Sequence, residues 1–309
     1  MATPQAPQST SHRLRAPAGL ERRPALVRVL DERDPAGGRA KAALFLTHPG
    51  PSLLVTAVTV GAAAIALRGA PGWSLALRLV LLMLPAQLCI GVANDLADMR
   101  ADRAAKPHKP LVRGAVPFLP AAMGAAVLAA VSLAAAASLG AGVLLATLVG
   151  LGAGLSYDFG LKRGRLSLLP WWLGFVALPF CAFAAAGRVP RSLWWCLPLA
   201  ALLALALHCA NVLPDIEGDR RAGVVSVPVL LGARRAFVVA VAGVVACAAL
   251  TAVLAVPLHQ SLAVLGVAWA VVAACAGAAF TAPLRRAPFP VLAMAAAALA
   301  ICWLASLPA

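Results

Sequence analysis

The sequence predicts an all-α, polytopic membrane protein with nine transmembrane helices around a central cavity. Of the 309 residues, 62% are hydrophobic and only 12% are charged, whereas about a quarter of the residues in soluble domains are charged. Nine apolar segments are long enough to cross the hydrocarbon core of a bilayer. Lysines and arginines cluster in alternate loops between these segments, as is typical of membrane proteins with a fixed orientation.

The N-terminal segment, residues 1–44, differs from the rest of the chain because it is mostly polar, rich in arginine and contains several prolines. It lacks the apolar core of a signal peptide. We therefore expect a disordered, basic cytosolic tail here and a single transmembrane domain over residues 45–309.

The predicted spans follow the tail in close succession, and each has about the length that a membrane crossing requires. Only Gly140 separates the third span from the fourth, so these two are expected to form a tight helical hairpin. The predicted spans are residues 51–68, 74–94, 117–138, 140–157, 167–187, 193–212, 235–256, 260–281 and 288–307.

The distribution of basic residues predicts the orientation. The tail and the loops after the even-numbered spans share one side, and they hold 22 of the 26 lysines and arginines. Basic loops are retained in the cytoplasm, so we expect a multi-pass plasma-membrane protein with a cytoplasmic N-terminus. The net charge of +15 then reflects topology and does not indicate nucleic-acid binding. The other side holds only Arg68, Arg78, Arg188 and Arg191.

The acidic residues are confined to a few places. Beyond residue 34 only seven occur, in three loops that all follow even-numbered spans. Acids at a membrane edge are costly unless they are paired, hydrated or metal-bound, so their confinement to one side predicts a single shared site. The seven are Asp95, Asp98, Asp102, Asp158, Asp215, Glu217 and Asp219.

Two of these loops carry the same polar pattern, which we call the first and second ladders. The spacing predicts that Asp95, Asp98 and Asp102 share one face of a helix that extends the second span. The duplication suggests an internal repeat in which both ladders face the central cavity. The alternative is that the acids merely cap solvated helix ends. The first ladder is Asn94-x-x-x-Asp98-x-x-x-Asp102, and the second is Asn211-x-x-x-Asp215-x-x-x-Asp219.

Clustered carboxylates repel one another unless cations lie between them. Mg²⁺ is the natural candidate because it prefers oxygen ligands and is often held by one or two carboxylates together with substrate phosphates. Basic residues near the ladders could neutralise the remaining phosphate charge. With an apolar bundle around it, such a site suits a lipid diphosphate. The basic residues are Arg103, Lys106, Lys109, Arg113, Lys162, Arg163, Arg165, Arg220 and Arg221.

Four segments resemble motifs of the UbiA superfamily of intramembrane prenyltransferases. "NDLADMRADR" (94–103) resembles the first aspartate-rich motif, and "NVLPDIEGDRRAG" (211–223) resembles the second in its D-x-E-G-D form. "KPHKPLVRG" (106–114) and "YDFGLK" (157–162) resemble the elements between them. The resemblance extends from about residue 45 to residue 309.

This resemblance implies Mg²⁺-dependent transfer of a prenyl group from its diphosphate. The D-x-E-G-D form is more similar to branches that act on homogentisate, dihydroxynaphthoate, chlorophyllide or geranylgeranylglyceryl phosphate than to the 4-hydroxybenzoate branch. Asp158 is a candidate catalytic base toward the acceptor, although it could equally fix Lys162 or an arginine. By motif position, the resemblance implies metal-binding residues Asn94, Asp95, Asp98, Asp102, Asn211, Asp215 and Asp219, and diphosphate-binding residues Tyr157, Lys162, Lys109, Arg113 and Arg220.

The chain departs from the family pattern at the start of the first span. Many members carry Arg-Pro there, whereas this sequence has His48 before Pro49. A diphosphate contact from that position is therefore not carried over, and His48 is expected to be interfacial structure. Four tryptophans could stabilise an allylic cation through their ring faces, but Trp194 and Trp195 are expected in the aromatic belt of the far interface.

Two alternatives to prenyl transfer stay open at this point. A membrane terpene cyclase of the same family would use the same metal site but close the allylic cation on its own chain. A divalent-cation transporter would need acids distributed across the membrane depth, whereas these acids lie on one side. The sequence does not determine the acceptor (a small aromatic or cyclic molecule, or a lipid head group), the prenyl length or the oligomeric state.

Overall fold

The computed structural model describes residues 38, 42, 44–281 and 286–307, with the side chains of Ala104 and Ala105 excepted. Residues 42–309 form one compact unit. The predicted tail, residues 1–44, lies almost entirely outside the described residues. The tail and the domain boundary at residue 45 therefore stay predictions.

The described part of the chain consists of α-helices joined by turns and short loops, and it contains no β-strand. This confirms the all-α fold class. Three short 3₁₀ turns interrupt the connections, at Leu161–Arg163, Arg191–Trp195 and Leu213–Asp215. The α-helices are α1 (Pro49–Leu67), α2 (Trp73–Ala105), α3 (Phe118–Leu139), α4 (Ala141–Asp158), α5 (Leu168–Ala185), α6 (Cys196–Val212), α7 (Ile216–Arg221), α8 (Val227–Leu231), α9 (Ala233–Ala255), α10 (Leu262–Ala278) and α11 (Phe289–Ala305).

Each predicted span coincides with one long helix. Within the described chain, 7 helical segments are long and apolar enough to cross a membrane, and one of them is the run Arg191–Arg221 that contains α6. Helices α10 and α11 are also apolar but have only 17 residues each, which corresponds to about 26 Å. The count of nine transmembrane helices therefore stays a prediction.

The long helices pack mainly against their neighbours in sequence, and the contact between α1 and α11 brings the two ends of this order together. Helix α5 contacts α1, α4 and α6, so it lies between the two halves of the bundle. Gly140 ends α3 and precedes α4 with a φ of 112°, a conformation that favours glycine. The tight hairpin predicted at this position is confirmed.

The two ladders lie on different kinds of backbone. Helix α2 has 33 residues and continues well beyond the predicted span, so the whole first ladder lies on one regular helix. The second ladder does not, because α6 ends at Val212 and a 3₁₀ turn containing Pro214 precedes α7. Proline has no N–H to donate within a helix, which is consistent with the break between α6 and α7. The second ladder therefore extends over a helix end, a turn and a short helix, and the expectation that both ladders face the central cavity stays a prediction.

Candidate active site

Two lysines bind the carboxylates of the first ladder and the neighbouring carboxylate of Asp95. Lys109 donates hydrogen bonds from Nζ to Asp95 Oδ1 at 2.7 Å and to Asp102 Oδ2 at 2.6 Å. Lys162, in the turn after α4, donates from Nζ to Asp98 Oδ2 at 2.7 Å. The Asp95 and Asp102 side chains are only 3% and 7% exposed. This end of the bundle, which we call the ladder end, thus carries tightly alternating charges that are partly shielded from water.

The loop after α2 brings Lys109 back onto the helix that precedes it. Pro107 cannot continue the helix, and the backbone N–H of Lys109 donates to the carbonyl of Lys106 at 3.1 Å, closing a turn. Burial by itself lowers the pKa of Lys109, but the hydrogen bonds to Asp102 and Asp95 outweigh burial and raise this pKa above its ordinary value. The contacts with Asp102 and Asp95 therefore favour the charged form of the Lys109 side chain.

Asn94 links the first ladder to α4. Its Nδ2 donates to Asp158 Oδ1 at 2.8 Å, while Oδ2 of Asp158 is buried and has no hydrogen-bond partner in the described part of the chain. Tyr157 precedes Asp158 and lies within electrostatic range of both Asp98 and Asp219. Tyr157 therefore has one acidic residue of each ladder in its electrostatic surroundings.

The second ladder is more open than the first. Asn211 and Asp215 are exposed, and Asp219 is half-buried within electrostatic range of Arg163. The backbone N–H of Val225 donates to the carbonyl of Arg163 at 2.9 Å. This bond ties the segment after the second ladder to the turn that carries Lys162.

The two predicted arginines lie at the edge of this arrangement. Arg220 is exposed and pairs with Glu217 at 3.2 Å along the surface of α7. Arg113 is also exposed, and its backbone N–H donates to the carbonyl of Lys109 at 3.1 Å. The structure therefore gathers the first ladder, Asp95, Asp158, Tyr157, Lys109 and Lys162 tightly, and it leaves Arg113, Arg220, Asn211 and Asp215 on the open side. The roles expected for these residues stay predictions.

His48 contacts Asp95, which the sequence did not reveal. Its Nε2 lies 3.3 Å from Asp95 Oδ1, so the expectation of a purely interfacial role missed this neighbour. The approach depends on Gly91, because a Cβ there would lie 2.9 Å from the carbonyl oxygen of Thr47. The glycine one helical turn before Asp95 was the feature of the sequence that could have indicated a close approach of another segment to α2.

Aromatic rings line the inner side of Tyr157. Trp171 lies 6.2 Å from Tyr157 and 5.4 Å from His208, measured between ring centroids. His208 is fully buried, and its Nε2 lies 3.0 Å from Ser167 Oγ. In the sequence, His208 lies in an apolar run three residues before Asn211. Its isolation among apolar residues was the signal that could have marked it as a candidate site residue.

The other tryptophans lie away from the ladders. The Nε1 of Trp172 donates to the carbonyl of Leu197 at 2.9 Å, which anchors α5 to α6. Trp194 and Trp195 are 57% and 41% exposed. This exposure fits the aromatic belt expected for both residues.

Two cavities lie within the bundle, and one of them reaches this region. The larger, of about 610 Å³, lies between α1, α5, α6, α9 and α11 and has an almost entirely apolar lining. The smaller, of about 340 Å³, lies between α1, α2, α4 and α5 and reaches Tyr157 and Asp158. Phe175 and Leu178 of α5 line both cavities. The smaller cavity therefore adjoins the site, and it shares part of one wall with the larger cavity.

Comparison with known proteins identifies the family. The UbiA prenyltransferase family pattern matches residues 53–288. A 4-hydroxybenzoate octaprenyltransferase of Vibrio parahaemolyticus serotype O3:K6 is 27% identical over 208 residues, which cover 66% of this chain and 73% of that protein.

Solved structures share the fold. A digeranylgeranylglyceryl phosphate synthase superposes with a TM-score of 0.68 at 17% identity, covering 87% of this chain and 97% of the other. A UbiA homolog from Archaeoglobus fulgidus bound to DMAPP and Mg²⁺ superposes with a TM-score of 0.63 at 20% identity, covering 84% and 98%. The chain is thus an integral membrane protein and belongs to the UbiA prenyltransferase family.

Proposed function

We propose that this prenyltransferase uses Mg²⁺ to move a prenyl group from a prenyl diphosphate to a small aromatic or cyclic acceptor or to a lipid head group. The observation that carries the proposal is the alternation of lysine and aspartate side chains at the ladder end, next to a largely apolar cavity that reaches Tyr157 and Asp158. Carboxylates suit a divalent cation and ammonium groups suit phosphate oxygens. The solved A. fulgidus homologs bound to DMAPP or GPP with Mg²⁺ support this interpretation.

The polar side chains of the two ladders suit a Mg²⁺ ion whose remaining ligands are phosphate oxygens of the substrate. Among the described residues, no three Asp, Glu, His or Cys side chains form a ready-made metal cage. Mg²⁺ is usually held by one or two carboxylates plus substrate phosphates rather than by an all-protein cage. The buried carboxylates of the first ladder and the open ones of the second suit such shared binding. The residues that would hold the metal are Asn94, Asp95, Asp98, Asp102, Asn211, Asp215 and Asp219.

The cationic side chains are proposed to bind the diphosphate. Lys162 and Lys109 already lie among the carboxylates, and they would turn to the phosphate oxygens when metal neutralises the acids. Tyr157 would contact the diphosphate from the inner side. Arg113 and Arg220 would approach it from the open side.

The reaction breaks the bond between the first prenyl carbon and the diphosphate oxygen, and the electron pair leaves with the diphosphate. Bound Mg²⁺ would supply Lewis-acid stabilisation of this leaving group. The ammonium groups of Lys109 and Lys162 stabilise the same charge through hydrogen bonds. A nucleophilic atom of the acceptor then bonds to the allylic carbon and loses a proton, for which Asp158 is the proposed base. Apolar walls keep bulk water away from the cation.

The proposal extends to location and branch. The excess of basic residues at the ladder end supports a plasma-membrane protein whose active site faces the cytoplasm. A basic tail over residues 1–44 would then be cytosolic, and residues 45–309 would form the catalytic domain. The D-x-E-G-D form of the second ladder supports a branch other than the 4-hydroxybenzoate one.

The test measures pyrophosphate release and lipid products with the purified protein, a series of prenyl diphosphates and Mg²⁺ or EDTA. We expect Asp98→Ala and Asp215→Ala to lower Mg²⁺-dependent turnover by about 10²–10³-fold. The matched control Glu217→Ala, on the exposed face of α7, should retain turnover. Wild-type turnover in both aspartate variants would refute the metal assignment. A cyclic hydrocarbon formed without any acceptor would instead identify a terpene cyclase.

A further inference from the structure

The smaller cavity contains a polar side chain that the charged site does not use. Gln87 of α2 lines this cavity, seven residues before Asn94. Seven residues are nearly two helical turns and about 10.5 Å along the axis, so Gln87 lies on the same face as Asn94 but deeper in the bundle. Its position is well inside the apolar part of α2.

The amide of Gln87 is poorly satisfied within the protein. Among the described residues its hydrogen-bond partner is the sulfur of Met83, 3.7 Å from Nε2, and thioether sulfur is a weak acceptor. Thr147, which lines the same cavity, bonds instead to the carbonyl of Val143 in its own helix at 2.8 Å. A polar group at membrane depth is costly without a partner. Gln87 is therefore the deep polar group that is available to a ligand.

The two cavities differ in what they can accept. The larger one is lined by side chains such as Leu203, Leu207 and Ala296, and it suits an isoprenoid chain that needs no polar partner. The smaller one is flanked by the Trp171 ring and has Asp158 and Tyr157 at its mouth and Gln87 in its depth. Polar groups at both levels suit a compact ring that carries oxygen substituents.

We propose that the smaller cavity is the acceptor pocket and that Gln87 selects an oxygenated ring by hydrogen bonding to one of its substituents. This inference rests on the proposed prenyl transfer and narrows its acceptor to a small hydroxylated aromatic or quinol-type ring. A lipid head group would stay at the ladder end and would not reach Gln87. The first prenyl carbon, which is bonded to the diphosphate at the ladder end, meets the ring near Asp158, and the prenyl chain extends past Phe175 and Leu178 into the larger cavity.

The test compares Gln87→Leu and Gln87→Met with the control Thr59→Val, whose hydroxyl donates to the carbonyl of Val55 in its own helix at 2.9 Å and which lines neither cavity. Probes are hydroxybenzoic and dihydroxynaphthoic acids as ring acceptors and glyceryl phosphate lipids as head-group acceptors. Loss of one hydrogen bond is expected to raise the KM for the ring acceptor about 3–10-fold in both Gln87 variants. The control should keep the wild-type KM. All four proteins should unfold cooperatively on heating in detergent, which verifies that the variants are folded.

The outcomes separate this inference from the proposed function. If no prenyl diphosphate yields Mg²⁺-dependent pyrophosphate release in the wild type, the proposed function fails and this inference falls with it. If release occurs but the Gln87 variants keep the wild-type KM, only the inference is overturned. Prenylation of a head-group acceptor overturns the inference as well. The inference is also overturned if the wild type turns over prenyl diphosphate but prenylates none of the ring acceptors.

Discussion

Replacing Lys109 with methionine tests whether the lysines stand where a divalent cation would bind. Methionine keeps most of the side-chain volume but removes the charge that bridges Asp95 and Asp102. The Lys109 side chain is only 16% exposed, and leaving buried carboxylates without their partner costs about 3–5 kcal/mol. Lys106→Met is the matched control, because that lysine is 57% exposed and lies 3.9 Å from Asp102, a geometry that contributes roughly 0–1 kcal/mol.

The assay is thermal unfolding in detergent, with and without Mg²⁺. Without metal, Lys109→Met should lower the unfolding temperature by about 10 °C and Lys106→Met by at most a few degrees. Added Mg²⁺ should stabilise Lys109→Met by about 2.7 kcal/mol when the metal is at 100 times its Kd. It should stabilise the wild type less, because there the ammonium group of Lys109 competes with the metal for the carboxylates. Equal stability of the two variants, or equal stabilisation of mutant and wild type by Mg²⁺, would refute this reasoning.

The stability difference between the wild type and Lys109→Met depends on pH with a definite sign. The hydrogen bonds to Asp102 and Asp95 outweigh burial and raise the pKa of Lys109 in the folded protein. Its stabilisation is therefore complete below the ordinary lysine pKa of about 10.4 and is lost only as pH rises through the higher folded value. The stability difference between wild type and Lys109→Met should stay constant from about pH 6 to pH 9.

Three glycine substitutions test the helix packing by thermal unfolding. Gly243→Ala should destabilise the protein by about 1–3 kcal/mol, because its Cβ would lie 2.9 Å from Ala206 Cβ; a wild-type unfolding temperature would contradict the close approach of α9 and α6. Gly266→Ala, with no atom within 4 Å of the new Cβ, should be neutral or stabilise by up to ~1 kcal/mol. Gly91→Ala should displace Thr47 and lower both stability and Mg²⁺-dependent turnover, whereas unchanged turnover would argue against a role for the start of α1 in the site.

Local patterns in the sequence predicted much of the fold. Apolar length and charge alternation located every long helix, and the spacing of Asp95, Asp98 and Asp102 correctly predicted that α2 continues beyond its span. The second ladder has the same spacing but contains Pro214, and the local loss of a backbone donor outweighed the similarity of the pattern.

Contacts between distant segments were not predictable in this way. Lys109 was expected to contact a diphosphate, and its pairing with Asp95 and Asp102 required knowledge of how the loop turns back. The approach of His48 to Asp95 joins residues 47 positions apart. Gln87 interrupts an apolar run in the sequence, and nothing in that run indicates the cavity beside it. A single sequence carries periodicity along each helix but not the identity of the helix that will face it.

Helix α5 forms the partition between the two cavities, and this has a consequence for how the reaction product leaves. If the acceptor is the proposed ring in the smaller cavity and the prenyl chain lies in the larger one, the product is a single molecule that straddles this partition. Val58 and Ile301 line the larger cavity and are 43% and 52% exposed on the outer surface of the bundle. Under the proposed arrangement, the product would have to withdraw its ring past α5 before it could leave on that side, and its departure, rather than bond formation, would then limit the steady-state rate.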